Sequence, residues 1–149
     1  MVLMSLLYPR VHQYLTRILR LPTKFFNYLT DFMQRIKEIK PKELVAGVTG
    51  YYAHGDKHTL GLVELKAGSV VPEHHHIHEQ ITYILEGQLD MTIGGKSYSL
   101  TPGMCQVIPS NTPHSAIAAT DCKAIDTFSP VRDDYKSSEA GIGWKLETQ

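Results

Sequence analysis

Only two cysteines, Cys105 and Cys122, occur in the 149 residues, too few for a disulfide framework in a chain of this length. Both sit in strand-like runs, where a free thiol behaves as a small apolar residue, so a reducing, cytoplasmic setting is the expectation. No run approaches the roughly 18–20 apolar residues that a membrane span requires. Net charge is lacking too: 15 basic residues balance 15 acidic ones, without the electrostatic footprint of a nucleic-acid or membrane binder. Repeats and low-complexity tracts are missing. What remains, 42% apolar and 20% charged, is an ordinary globular composition at a length that suits one domain.

Residues 1–32 read unlike the rest. They are rich in Leu, Tyr, Phe and Arg, cut by Pro9 and Pro22, and nearly free of acids. Leu15, Ile18 and Leu19 with Arg17 and Arg20 predict one short amphipathic helix. The segment fits a signal peptide poorly, and an organelle transit peptide is one reading of it. The preferred reading is that translation starts at Met33, making 1–32 an artefact of start-site choice. The domain proper is then expected at 33–135, and 136–149 is a polar tail pinned by Trp144.

From Ile36 the chain breaks into short strands divided by turns. Thr59–Leu65 is expected to alternate with Leu60 and Leu62 inward, and 81–85 to be apolar and buried. In 88–93, Leu89, Met91 and Ile93 share one face and Asp90 and Thr92 the other. Gly94-Gly95 is a two-residue hairpin signal, because both glycines tolerate positive φ. Further strands are expected at 96–100, 104–108, 114–119 and 123–128. Seven or eight short strands with closely spaced turns indicate an all-β sandwich or barrel, and the density of Gly and Pro excludes a helix interior over most of the stretch.

Eight histidines are present, and their placement is the main functional signal. His74, His76 and His78 occur at alternate positions of a segment leading into the β-branched run Ile81-Thr82-Tyr83-Ile84, and alternate strand positions share a face. His74 and His76 can point at one ion, Gln80 offers an amide oxygen, and His114 a third imidazole from a distant strand. An expression tag would be terminal and uninterrupted; this run is neither. His78 is a spare ligand or a supporting donor, His75 should face outward, and His12, His54 and His58 read as surface residues.

These residues resemble the cupin superfamily. Its first motif, Gly-x5-His-x-His-x3–4-Glu-x6-Gly, is matched by Gly68, His74, His76 and Gly87, with Gln80 where glutamate is usual. Its second, Gly-x5-Pro-x-Gly-x2-His-x3-Asn, is matched by Gly103, Pro109 and His114, with Asn111 and Ala118 departing from it. The resemblance implies an antiparallel jelly-roll barrel. The run from His74 to Gly87, Ile93-Gly94-Gly95, the Pro109–His114 segment and the ending Asp126-Thr127-Phe128-Ser129-Pro130-Val131-Arg132-Asp133-Asp134-Tyr135 resemble more narrowly the KdgF group. These are small metal-dependent cupins that linearise 4,5-unsaturated uronates released by pectin and alginate lyases. A homodimer through sheet edges is implied by this resemblance alone.

Three imidazoles and an amide are neutral ligands, so a divalent ion would keep its full charge and act as a strong Lewis acid. Ni, Zn, Fe, Mn and Co all suit such donors. Opening an unsaturated uronate needs proton transfer at the hemiacetal hydroxyl and at the ring carbon of the double bond. Asp126 corresponds to the acid–base residue of the resembled group, and the alternation of Ala124, Asp126 and Phe128 can send it inward. Arg132 suits either bidentate clamping of the uronate carboxylate or a surface ion pair with Asp133 or Asp134. Phe128 suits a pocket wall or the core; Tyr83 lines the cavity beside substrate or packs in the core, and Gln88 lines the cavity or is exposed. A cupin dioxygenase and a non-catalytic small-ligand cupin are the competing functions.

Overall fold

The computed structural model describes residues 35–136. The expectations for 1–32 and for Trp144 lie outside them. Ten strands follow in order: β1 (Lys42–Val45), β2 (Val48–His54), β3 (Thr59–Leu65), β4 (Val70–His74), β5 (Glu79–Glu86), β6 (Leu89–Ile93), β7 (Lys96–Leu100), β8 (Cys105–Ile108), β9 (His114–Ala118) and β10 (Cys122–Ser129). A 3-10 turn, Ile36–Glu38, precedes them and a one-turn helix, α1 (Asp133–Lys136), follows. Among the described residues no helix is long and apolar enough to cross a membrane.

The strands pair antiparallel into two sheets, a six-stranded one in the order β1-β2-β3-β10-β5-β8 and a four-stranded one in the order β4-β9-β6-β7. This is the expected all-β jelly roll. Val63, Ile84, Ile108 and Ala124 of the large sheet share one buried cluster with Leu89, Met91, Ile93 and Ala116 of the small one. The predicted alternation of β6 holds, with Leu89, Met91 and Ile93 buried. The predicted hairpin also forms: Ile93 pairs with Lys96, and Gly94 and Gly95 take φ of 54° and 78°. β1 and β2 are not among the strands expected above, although Val48-Thr49-Gly50-Tyr51-Tyr52 carries the β-branched and aromatic signal.

Two expectations about facing are corrected. In β3 the inward set is Thr59, Gly61, Val63 and Leu65; Leu60 is 41% exposed, and Leu62 is covered while sharing Leu60's outer parity. Register decides this, because β10 sets Ala124 beside Val63 and Asp126 beside Gly61. In β5 only Gln80, Thr82 and Ile84 are buried, so the strand alternates instead of being buried throughout. Tyr83, expected near substrate, therefore faces outward with Ile81 and Leu85. Its offset of three residues from Gln80, an odd number, puts it on the opposite face of the sheet.

Candidate metal centre

The chain leaves β4 at His74, bends through 75–78 and re-enters the large sheet as β5. A register shift between Val71 and His74 ends β4 with His74 opposite His114, the first residue of β9. His76 lies on the bend, so strand alternation alone does not bring it to His74. Its carbonyl accepts a 2.7 Å hydrogen bond from the backbone N–H of Asn111, which ties the bend to the loop carrying His114. Asn111 takes φ of 59°, a left-handed conformation that asparagine tolerates better than most residues.

Ligating atoms of His74, His76 and His114 lie within 4.8 Å of one another. Their ring centroids are 4.2 Å apart for His74 and His114, 5.1 Å for His76 and His114, and 5.7 Å for His74 and His76. Each ring is oriented in the same way. Nδ1 faces a backbone carbonyl two residues away: Pro72 at 2.8 Å, His78 at 3.0 Å and Thr112 at 2.8 Å. A carbonyl only accepts, so Nδ1 carries the proton and Nε2 keeps its lone pair for a cation. Burial pushes His74 down to about 3, helped by His114, and His76 down to about 4, helped by Arg132 and His114. His114 is lowered too, chiefly by burial. All three rings are thus neutral at pH 7, the form that binds metal.

Two further observations fit a cation. Nε2 of His114 is buried and has no hydrogen-bond partner among the described residues. Nε2 of His76 lies 3.2 Å from Oε1 of the buried Gln80. With the proton on Nδ1, that contact sets two lone pairs against each other, and a positive ion between them removes the repulsion.

Behind Gln80 runs a short polar chain. Its Nε2 donates to Thr82 Oγ1 at 2.9 Å, and Thr82 Oγ1 donates to Asp126 Oδ1 at 2.6 Å. Thr82 and Asp126 are neighbours across β5 and β10. Asp126 faces the interior, as the alternation with Ala124 and Phe128 predicted, and lines a cavity of about 60 Å³ together with the three histidines, Gln80 and Arg132. Burial raises its carboxyl above the usual carboxylate range, against the hydrogen bonds from Thr82 and Gln80.

Arg132 is 1% exposed. Its Nε and Nη2 both bond the Asp134 carboxylate, the shortest contact being 2.6 Å, and its guanidinium stacks 3.9 Å from the centre of the Tyr135 ring. Of the two alternatives weighed for Arg132, the structure shows the ion pair. It pairs with Asp134, but in the interior, and the fork expected to clamp substrate is already occupied. Nη1 remains buried without a hydrogen-bond partner among the described residues. Phe128 is buried, 5.7 Å from the His76 ring and 5.0 Å from the guanidinium.

The other histidines meet expectation unevenly: His58 is exposed as expected, whereas His78 is neither a ligand of the cluster nor a donor to it. His78 is buried and meets His76 edge-on at 5.4 Å, supporting it through its carbonyl while its own ring stays out of the cluster. His75 is half-buried and His58 exposed. His54 ends β2, where it meets Thr59 Oγ1 at 2.9 Å. Gln88 bonds Asp90 and Ser99 on the surface and does not line the cavity. Thr82, Tyr52 and Tyr135 line the cavity without having been expected there. Thr82 shares the parity of Gln80, a signal that was available. Tyr52 packs 4.5 Å from Tyr135 over Gly50 and Gly61, where any Cβ would strike its ring.

The Cupin domain family model matches residues 61–128. The pectin degradation protein KdgF of Dickeya dadantii (strain 3937) is 34% identical over 65 residues, which is 43% of this chain and 59% of that relative's length. The solved structure of KdgF from Halomonas sp. superposes with a TM-score of 0.63 at 32% identity, over 70% of this chain and 96% of that one. An RmlC-like cupin from Shewanella frigidimarina superposes at 0.65 and 24% identity, over 69% of this chain and 94% of that one, a likeness of fold. The chain belongs to the cupin family, among its KdgF-like members.

Proposed function

We propose that this protein is a metal-dependent enzyme that opens and ketonises 4,5-unsaturated uronates. The observation that carries the reading is the convergence, on one cavity, of three neutral imidazoles, Asp126 and Arg132, whose Nη1 has no hydrogen-bond partner among the described residues. His74, His76 and His114 would hold a divalent transition ion, Ni, Zn, Fe, Mn or Co, with Gln80 as fourth ligand. When bound, such an ion supplies Lewis acidity that polarises sugar oxygens.

The remaining chemistry falls to side chains. Asp126 takes the proton of the hemiacetal hydroxyl as the ring C–O bond breaks, leaving an aldehyde and an enolate. It then delivers a proton to the former double-bond carbon, which yields the ketone. The reaction is an isomerisation that needs no co-reactant. A carboxyl raised by burial suits both steps, since it holds a proton better than an exposed one. Arg132 Nη1 meets the uronate carboxylate, and Phe128 walls the pocket. The cavity of about 60 Å³ is far below the roughly 300–1,000 Å³ of sites that engulf a ligand. The sugar therefore sits across its mouth, reactive edge inward.

The test is to load the protein with metal, add an unsaturated monouronate and follow loss of its ultraviolet absorbance against the spontaneous rate. Acceleration supports the reading. Oxygen consumption would point instead to a dioxygenase, and ligand binding without turnover to a sensor-like cupin. A homodimer belongs to the same proposal, with the edge strands β1, β8, β4 and β7 available for pairing; analytical ultracentrifugation decides it.

A further inference from the structure

We infer that Thr82 is a positioning residue that fixes which end of the Gln80 amide faces the three imidazoles, by handing its own proton to Asp126. The inference rests on the metal-binding part of the reading above and needs no uronate.

Thr82 is 1% exposed on the inner face of β5. Its hydroxyl has one proton and two polar neighbours, Gln80 Nε2 at 2.9 Å and Asp126 Oδ1 at 2.6 Å. The shorter distance lies in the 2.5–2.7 Å range of a hydroxyl donating to a carboxylate. A carboxylate only accepts, so the proton is committed to Asp126. The Thr82 oxygen then has only lone pairs left for Gln80. The amide must turn its NH2 group toward Thr82, and its oxygen consequently faces His76. A reversed amide would set its oxygen against a hydroxyl whose proton is already engaged, two buried acceptors in contact.

Threonine suits this task better than serine. A β-branched side chain on a strand is restricted at χ1, so the hydroxyl keeps its direction. Orienting partners behind a metal ligand commonly govern affinity by about 10–100-fold.

Cobalt(II) is the probe. Wild type, Thr82→Val, Thr82→Ser and Gln80→Leu are loaded with Co2+, and the visible absorption spectrum and the dissociation constant by chelator competition are measured. Thr82→Val keeps the shape but loses the hydroxyl. Its spectrum should move to that of Gln80→Leu, with binding weakened about 10–100-fold, and Thr82→Ser should recover most of both. Should Thr82→Val not fold, Thr82→Ala takes its place with the same expected spectrum. A Thr82→Val protein with the wild-type spectrum and affinity overturns the inference. So does Thr82→Ser behaving like Thr82→Val, or Gln80→Leu leaving the spectrum unchanged. Wild type that fails to bind Co2+ removes the inference and the metal centre together. The expected spectra without uronate turnover uphold the inference and remove only the uronate reaction.

Discussion

The two faces of β5 mix polarity in opposite ways around the site, although Ile84 and, on β10, Ala124 and Phe128 keep the rest of the inner row apolar. Inward, toward the other sheet, stand Gln80, Thr82 and Asp126. Outward stand Ile81, Tyr83 and Leu85, each about two-fifths exposed, with Val107 of β8 paired beside Ile81. Burying a polar group costs free energy unless it is hydrogen-bonded, and these three are hydrogen-bonded to one another. A fully paired polar row can sit in the interior, but an amide oxygen and a carboxyl left aimed into a cavity suit binding rather than stability. The apolar outer face, by contrast, is where hydrophobicity alone would have put the core. Strand register, not polarity, decided which row went in.

The sharpest way to break this contrast is to remove a ligand from the inner side. His114→Ala should take both bound metal and uronate turnover to background, measured by elemental analysis and by loss of ultraviolet absorbance. Asp126→Asn should lower turnover by about 10²–10⁴-fold at unchanged metal content, because the amide oxygen of the replacement still accepts from Thr82; a normal rate would take Asp126 out of the mechanism.

Acid should distinguish the faces as well. His74 and His76 titrate near 6.5 when unfolded but at about 3 and about 4 in the fold, because burial disfavours the charged ring. Between those limits the unfolded chain binds more protons, so stability falls as pH drops from about 6.5 toward 4. Denaturant titrations of the metal-free protein at pH 7 and pH 5 should show the lower midpoint at pH 5, and His74→Gln should reduce the difference while leaving the share of His76.

A smaller effect is expected at the Arg132–Asp134 pair. Asp134→Asn should cost about 1–3 kcal/mol in urea unfolding, less than the 3–5 typical of a wholly buried pair, because 27% of the Asp134 side chain is exposed. The smallest belongs to the outer face. Tyr83→Ser should leave KM unchanged and shift stability by about 0.5 kcal/mol or less; a raised KM would return Tyr83 to the site.

Much of the site could be read before the fold. The three ligating histidines were legible as residues, although His76 joins His74 through a bend and not through strand alternation, and the alternation of Ala124, Asp126 and Phe128 carries the inward carboxyl. Thr82 escapes notice because a threonine in a strand looks like any β-forming residue until its neighbours across β10 are known. Arg132 stays open between two roles, since sequence adjacency to Asp134 does not reveal that the pair is buried beneath Tyr135.

By itself, the sequence determined what depends on neighbours in the chain: the strands from β3 onward, the Gly94-Gly95 hairpin and the presence of metal-ligating side chains. Turn chemistry and side-chain periodicity act over a few residues, so they are legible there. Tertiary structure alone decided which face of β3 and β5 turned inward, how the bend at His76 met the loop at Asn111, and which proton the Gln80 amide had to answer. Those outcomes hang on hydrogen bonds between residues tens of positions apart, and a one-residue change of register would reverse each facing.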